Sequence, residues 1–576
     1  MDTVSTENEV GEFLIGPASD RTRALLKMFA ERLKTRGFRS RALYFERAGS
    51  VGVVVAKGDT PMPASPEADF EILEDQWPEA LGFRIACIGD RIEAQSDHFS
   101  IRPLFWAKSD EGQFVGTSLQ WVGAAIGAKI DPRTAVELMV VSFNLGDHTV
   151  LTDVIRLNPG EQWVKEGSAA AVINKKAVGI STVGPTIARC TSDEGRPLLT
   201  NAADRIVEMM ADNACMELSG GMDSRCVLAL ANSRGVRPKF AFTLGSEDSE
   251  NVVLARELCE KSGIEHRRIS LDFDLSNIEQ DSRDYLEAAG YQVNATSVCW
   301  MPVLFRLLAP DRDTQICGQM ASTAFYYTPF DPLNRFDAVL RKWVDMRVLI
   351  SGNRAPMIFG NDIHQSGLNL VRETAMKAIR DAGGSFRDGG DEFFIFQRNR
   401  QWAAGWIHAA RYWYRNHAPM IDRRVAEWTW RSHPRDKVFR INQMRLCEDL
   451  GGPIAGVPFE GGYRCPTNGL GRLQTSYESF AKLARGVRGR LSWKRRRPDM
   501  NADNAAVAML SSGNLKPGII DMLSDVGSPD PEQVMDHIDA NIGSHEREIG
   551  FLVTLSLLRE HLQSIARDLD ASLAGR

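Results

Sequence analysis

Residues 1–165 carry short apolar runs separated by turns rich in glycine, aspartate and proline. Such runs lie at 51–56, 82–88 and 113–117, and they are typical of strands in stacked antiparallel sheets. Apolar residues between 20 and 36 recur instead at helical spacing, which predicts one helix. The N-terminal part is therefore expected to be an α+β sandwich of antiparallel sheets.

From residue 197 onward, short buried apolar runs alternate with amphipathic segments. The pattern predicts strands at 214–218, 240–244 and 268–271, and helices at 202–211, 225–232 and 252–262. Strands alternating with helices indicate a doubly wound parallel sheet, whose ligands bind beyond the carboxyl ends of the strands. Further helices are expected beyond residue 330, with the tryptophans between 402 and 430 in their core. The predicted domains are thus 1–165 and 197–576, joined by a linker at 166–196.

Composition limits the classes of function. The 576 residues include 69 Lys or Arg and 75 Asp or Glu, for a net charge of −6. This balance argues against nucleic acid or a membrane surface as partner, and no apolar run is long enough to span a bilayer. The N-terminal residues do not resemble a secretory signal, and the nine cysteines contain no Cys-x-x-Cys pair. A cytoplasmic location with cysteines buried as small apolar residues is expected.

The sharpest motif is the glycine loop, defined here as residues 218–224, with the sequence Leu-Ser-Gly-Gly-Met-Asp-Ser. Its two glycines permit a sharp turn that aims backbone N–H groups at one cavity, and the following helix adds its positive dipole end. With the hydroxyl groups of Ser219 and Ser224, these donors suit pyrophosphate. Asp223 suits a Mg²⁺ ion that bridges the phosphates.

This loop resembles the signature of the PP-loop ATP pyrophosphatases, in their asparagine synthetase branch, and no Walker pattern is present. The resemblance implies that ATP is split between its α and β phosphates, with Asp223, Ser219, Ser224 and Arg464 as catalytic residues and Asp223 on the Mg²⁺. The ATP-binding residues that it implies are Leu218, Ser219, Gly220, Gly221, Asp223, Ser224, Phe242, Thr243, Gly245, Cys317, Gly318 and Gln319.

The resemblance extends to both ends of the chain. Residues 97–105 are similar to the D-x-x-G-x-R-P-L-Y segment of the family's N-terminal glutaminase domain, 149–160 to its last turns, and 419–425 to the family's P-F-L-D segment. The family's catalytic cysteine follows the initiator Met, whereas Asp2 stands here and the first cysteine is Cys87. A carboxylate cannot attack an amide as a thiolate does, so a degenerate glutaminase-like domain is expected. Similar losses occur in β-lactam synthetases and lasso-peptide cyclases.

Two further departures concern the synthetase chemistry. In the family's second loop, here 318–322, Gln319 takes the place of a base and Ser322 that of a Mg²⁺ ligand. Neither residue suits its role. The tract 457–464 lacks the family's lysine, for which Arg464 is the candidate replacement.

The sequence therefore predicts an ATP-dependent carbon–nitrogen ligase that adenylates a carboxylate and joins it to an amine. Macrolactam closure of a peptide, as in lasso cyclases, is the leading specific hypothesis, with a precursor peptide and a companion protease as partners. A catalytically impaired scaffold and a glutamine- or ammonia-dependent asparagine synthase are the alternatives. The sequence leaves open both substrates, the second Mg²⁺ ligand, the general base and the oligomeric state.

Overall fold

The computed structural model describes residues 2–6, 11–35, 40–57, 69–74, 82–176, 203–210, 213–311, 313–319, 344, 355–381, 390, 392–423, 425, 441–460, 502–511 and 514–574. Within these ranges, no helix combines the length and the apolar character needed to cross a membrane.

The N-terminal part is built from two six-stranded sheets. Their orders are β1-β5-β6-β7-β11-β12 and β10-β8-β9-β2-β4-β3. The strands are β1 Asp2–Thr6, β2 Glu12–Pro17, β3 Ser40–Arg47, β4 Ser50–Lys57, β5 Phe70–Glu74, β6 Phe83–Ile88, β7 Arg91–Ser96, β8 Phe105–Ser109, β9 Gly112–Gly116, β10 Val154–Arg156, β11 Glu161–Glu166 and β12 Val172–Lys175. The predicted antiparallel sheets are confirmed, except that β1 pairs with β5 in parallel.

Side-chain alternation explains how the sheets stack. In β2, Phe13 and Ile15 enter the core between the sheets, whereas Leu14 points to the opposite face and packs with helix α1, Asp20–Thr35. The predicted helix at 20–36 is thus confirmed. The first sheet continues to β12, which pairs with β11. Its last strand therefore lies inside the stretch 166–196 that the sequence assigned to the linker. β12 is a four-residue strand at the sheet edge, and three of its residues are exposed.

The second part contains a five-stranded, fully parallel sheet of order β15-β14-β13-β16-β17. Its strands are β13 Ala214–Glu217, β14 Phe240–Leu244, β15 Glu265–Ile269, β16 Thr314–Ile316 and β17 Arg415–His417. The predicted doubly wound α/β arrangement agrees with this sheet. β15 lies earlier than the predicted 268–271, because its sequence Glu-His-Arg-Arg-Ile is polar at the sheet edge and hides the strand.

Two of the remaining helices belong to the N-terminal part, and the others surround the parallel sheet and form the C-terminal region. In chain order, the remaining helices are α2 Leu119–Ile126, α3 Pro132–Val141, α4 at 203–210, α5 Met222–Ser233, α6 Glu250–Ser262, α7 Ile278–Ala288, α8 Ala295–Val298, α9 Met301–Leu308, α10 Ala355–Phe359, α11 Asn361–Asp381, α12 Ala404–Ala410, α13 Ile441–Leu450, α14 Ala502–Ser511, α15 Leu515–Asp525, α16 Pro531–Ala540 and α17 Ile542–Ala574. A π-helical segment, Phe394–Ala403, precedes α12.

Helix α17 connects the two parts of the molecule. Residues 549–558 of this helix are buried on every face, as expected of a helix surrounded by others. It contacts α1, α2 and α3 of the N-terminal part, and α8, α14 and α15 of the C-terminal part. One large core therefore extends across both parts.

The predicted core residues are largely confirmed within the described ranges. All cysteines there are free and buried, and Trp406 and Trp413 pack against the core. Cys190, Cys465 and the basic segment 482–497 lie outside these ranges.

Candidate functional site

The glycine loop lies where the strand order of the parallel sheet reverses. β14 and β15 follow β13 on one side, whereas β16 and β17 lie on its other side. Helices that leave adjacent strands in opposite directions open a crevice at this position, which is the usual ligand site of such sheets. The loop begins at the end of β13 and leads directly into α5.

Helix α5 begins at Met222, three residues before the predicted start at 225. Gly221, in an extended conformation with φ −70° and ψ 174°, is its N-cap residue and offers no capping side chain. Asp223 and Ser224 therefore lie in the first turn, where an acidic residue interacts favourably with the helix dipole. The first N–H groups of α5 lack intrahelical partners and can bind an anion.

The sequence predicted that the backbone N–H groups of the glycine loop point at one cavity. In the structure, three of them donate to side-chain oxygens instead. The Ser219 N–H donates to Ser224 Oγ over 3.1 Å, and the Gly221 N–H donates to Ser219 Oγ over 3.2 Å. The Gly220 N–H donates to Asn251 Oδ1 over 3.0 Å. The side-chain oxygens of Ser219, Ser224 and Asn251 thus satisfy the backbone N–H groups of the loop. A phosphate oxygen bound in the loop would replace these oxygens as the acceptor.

Asp223 is oriented by a neighbouring helix. Gln443 of α13 donates from Nε2 to Asp223 Oδ1 over 3.0 Å. No group of three metal-ligating side chains occurs among the residues that the structure describes. Mg²⁺ commonly takes one or two carboxylates and completes its shell with phosphates and water. The position of Asp223 in the first turn of α5 fits that role.

The end of β14 supports the loop from one side. The buried hydroxyl of Thr243 donates to the Leu218 carbonyl over 2.7 Å and lies 3.0 Å from His266 Nε2. Burial lowers the pKa of His266, and the nearby Arg256 lowers it further. Thr243 therefore positions the start of the glycine loop, while Phe242 is buried in the core.

Gly245 follows β14 in a backbone conformation that favours glycine, with φ +149°. A Cβ atom here would lie 2.8 Å from Ser249 Oγ, at the N-cap of α6. This predicted ATP-binding residue therefore permits the close approach of β14 and α6.

The end of β16 lies against the glycine loop. A Cβ atom on Gly318 would stand 2.5 Å from both the N and the Cα of Ser224. Cys317 is fully buried, and burial raises the pKa of its thiol to about 12, with a smaller contribution from Glu217. Gln319 is half-buried next to them. The structure thus brings the two predicted loops into direct contact, while Met320 to Ser322 lie outside the described residues.

The predicted tract at 457–464 also meets the glycine loop. Glu460 donates its N–H to the Gly220 carbonyl over 2.9 Å. The buried Arg225 donates to the carbonyls of Val457 over 2.6 Å and Pro458 over 2.8 Å. Its guanidinium carbon lies 4.0 Å from the centre of the Phe459 ring. Arg464 lies outside the described residues.

Sequence reasoning missed four residues that shape this site: Asn251, Arg225, His266 and Gln443. Asn251, in the first turn of α6, was the one with a local signal, because an amide there can bond backbone groups of a neighbouring loop. The others act through contacts that only the tertiary structure reveals.

Comparison with known proteins agrees with this geometry. Residues 194–297 match the family model described as asparagine synthase. This segment includes β13, the glycine loop, α5, β14 and α6. No curated protein matches the chain. Residues 194–297 of the chain are therefore similar to asparagine synthase.

Proposed function

We propose that this protein is an ATP-dependent carbon–nitrogen ligase that adenylates a carboxylate and then joins the acyl group to an amine. The observation that carries the proposal is the glycine loop at the strand-order reversal of a parallel sheet, within the segment that matches asparagine synthase. The carboxylate oxygen attacks the α-phosphorus of ATP, and pyrophosphate leaves. The amine then attacks the acyl carbon, and AMP leaves.

The residues of the chain act mainly by placing charge-stabilising donors. The first-turn N–H groups of α5 and the hydroxyls of Ser219 and Ser224 hold the leaving pyrophosphate, which is electrostatic stabilisation by preorganised groups. Asp223, which Gln443 orients, would hold a Mg²⁺ ion, and this ion would neutralise part of the phosphate charge. When both reacting groups belong to one peptide, their positioning in the crevice supplies much of the rate.

Peptide macrolactam closure is the specific form of the reaction that we favour. An intramolecular amine needs no glutaminase, which accords with Asp2 in place of the family's cysteine. Asparagine synthesis from glutamine or ammonia is the competing reaction. Pyrophosphate release is measured with candidate precursor peptides and, separately, with aspartate plus glutamine or ammonia. Release with a peptide supports macrolactam closure, and release with aspartate supports asparagine synthesis.

A second candidate, a non-catalytic scaffold, is favoured by Gln319 next to the loop, because an amide cannot act as a base. The ligase requires both Mg-ATP binding and carboxylate-dependent pyrophosphate release. Asp223→Ala should abolish release, whereas Glu111→Ala in the exposed turn between β8 and β9 should leave it unchanged. Binding of Mg-ATP without release under every substrate condition would contradict the ligase and support the scaffold.

A further inference from the structure

Two buried arginines lie at the contact between the N-terminal sandwich and the π-helical segment, and their hydrogen-bond acceptors among the described residues are all neutral. Arg156 and Arg400 are 2% and 0% exposed. Arg156 donates to the side-chain oxygens of Gln292, over 3.1 Å, and Gln401, and to the Ser100 carbonyl over 2.7 Å.

Arg400 is bonded in the same neutral manner. Its guanidinium donates to Asn158 Oδ1 over 3.1 Å and to the Gly146 carbonyl. Burial lowers the pKa of Arg156 well below its ordinary value, and the charge of Arg400 lowers it further. Buried charges normally have an ionic partner, because an uncompensated charge in the interior is costly.

Several nitrogen donors of these arginines and of the two glutamines have no acceptor among the described residues. The unpartnered buried atoms are Arg156 Nε, Arg400 Nε, Gln292 Nε2 and Gln401 Nε2. The two glutamine oxygens both accept from the same Arg156 Nη1 atom, so each amide presents its NH₂ group without a partner. All of the unsatisfied atoms are donors, and each such buried group carries a desolvation cost.

The carboxylates nearby are already engaged. Asp97 accepts from the backbone N–H groups of Phe99, Ile101 and Arg102. Glu12 accepts from Arg102 over 3.0 Å, from Tyr412 over 3.0 Å and from the hydroxyl of Thr117. Asp97 acts electrostatically on both arginines, and Glu161 and Asp147 act on Arg400, but no hydrogen bond joins Asp97 or Glu12 to either guanidinium group among the described residues.

We propose that Arg156, Arg400, Gln292 and Gln401 form a buried binding site for a small oxyanion of the carboxylate or phosphate type. An oxyanion accepts several hydrogen bonds and adds negative charge in direct contact with the two guanidinium groups. A water molecule accepts about two hydrogen bonds and carries no charge, so it would give the two guanidinium groups no charged hydrogen-bond acceptor. The site shares no residue with the glycine loop and is independent of the proposed ligase activity.

The bound anion would join the two parts of the molecule. Arg156 belongs to β10 of the sandwich, Gln292 follows α7, and Arg400 and Gln401 belong to the π-helical segment. Binding of the anion should therefore stabilise the whole fold. A ligand that binds only the native protein raises the free energy of unfolding in proportion to the logarithm of the ligand concentration.

Thermal unfolding at constant ionic strength tests this site, with acetate and inorganic phosphate as separate probes in the full chain. The melting temperature of the wild-type protein should rise with the concentration of at least one probe. Gln401→Glu places a carboxylate beside Arg156 and should remove this response, weakening the apparent affinity at least about tenfold. Gln292→Glu should act in the same way, and Gln365→Glu on the exposed face of α11 should keep the wild-type response.

The results of this unfolding test do not depend on whether the protein has ligase activity. A wild-type melting temperature independent of both probes would overturn the proposal, whether or not the variants fold. A phosphate response that persists in Gln401→Glu and Gln292→Glu would assign the anion to another place, such as the glycine loop, and would also overturn it. A response of either probe that these variants lose and Gln365→Glu retains supports the site.

Discussion

Individual side chains and glycines fix the distances on which the candidate site depends. Gly318 is the clearest case, because its Cα approaches the backbone of Ser224 too closely for any other residue. The carboxyl end of β16 can thus lie directly on the first turn of α5. The second predicted loop meets the glycine loop for this reason, although both lie far apart in sequence.

Gly318→Ala should destabilise the protein by about 1–3 kcal/mol, because the new methyl group displaces the first turn of α5. Urea unfolding measures this change, and the affinity for Mg-ATP should fall with it. Gly456→Ala is the matched control, since a Cβ atom there meets nothing within 4 Å. Equal stabilities of the two variants would contradict the close contact.

His98 should make the stability depend on pH. Burial lowers its pKa to about 4 from 6.5, and Arg423 contributes. A depressed histidine pKa means that the unfolded chain binds the proton first, so stability is lost as pH falls from 6.5 toward 4. His98→Leu should remove up to about 3 kcal/mol of this loss.

The measurement is urea unfolding of His98→Leu and wild type at about pH 7.5 and about pH 5. His148→Gln provides the contrast. Burial opposes the charge of His148, but its contact with Glu137 outweighs this and raises its pKa. The stability that His148 contributes is present below pH 6.5 and is lost as the pH rises through the raised pKa. His148→Gln removes this contribution, so the loss of stability on going from about pH 7.5 to about pH 5 should be larger in this variant than in the wild type. Identical pH dependence in the two variants would contradict these assignments.

At the scale of elements, the site is formed by the carboxyl ends of β13, β14 and β16 and by residues 457–460, which pack against α5. Arg225 of α5 holds residues 457–459 through two carbonyls and a ring. This segment in turn donates to the glycine loop through Glu460. Helix α5 therefore organises both the loop before it and a segment more than two hundred residues later.

Arg225→Met should detach residues 457–460 from α5, because two buried carbonyls lose their donor, at a cost of about 2–4 kcal/mol. Hydrogen exchange should accelerate in this segment more than in β13. Arg234→Met, at the half-exposed end of the same helix, should change the unfolding free energy by less than about 0.5 kcal/mol. Unchanged exchange at 457–460 in Arg225→Met would be inconsistent with this role.

The elements that the sequence predicted best are those with a local signature. The helix over 20–35 and the strand Phe240–Leu244 follow from apolar spacing, and the glycine loop from its own residues. β15 was misplaced because this edge strand is rich in polar residues, and β12 was assigned to the linker because it is a short edge strand with mostly exposed residues. The contact of Gln443 with Asp223 could not be predicted, since it joins two helices distant in sequence.

At the scale of the whole molecule, the two parts share buried connections. Tyr412 bonds Glu12, and Arg102 Nη1 lies 2.6 Å from His408 Nδ1. Arginine only donates, so His408 accepts and is neutral, in agreement with the lowering of its pKa by burial and by Arg102. These contacts and the shared position of α17 indicate that the sandwich and the C-terminal part unfold together.

Calorimetry should therefore show one unfolding transition, because most of the core is common to both parts. The van't Hoff and calorimetric enthalpies should agree. Two resolved transitions, one of which persists after limited proteolysis, would show that the parts are independent.

The identity of the nucleotide product tests the central claim most directly. If the glycine loop holds a leaving pyrophosphate, ³¹P NMR of a reaction with a competent carboxylate and amine will show AMP and pyrophosphate in equal amounts, and Asp223→Ala will form neither. Formation of ADP and phosphate instead, or equal activity of Asp223→Ala and wild type, would contradict the assignment of this loop.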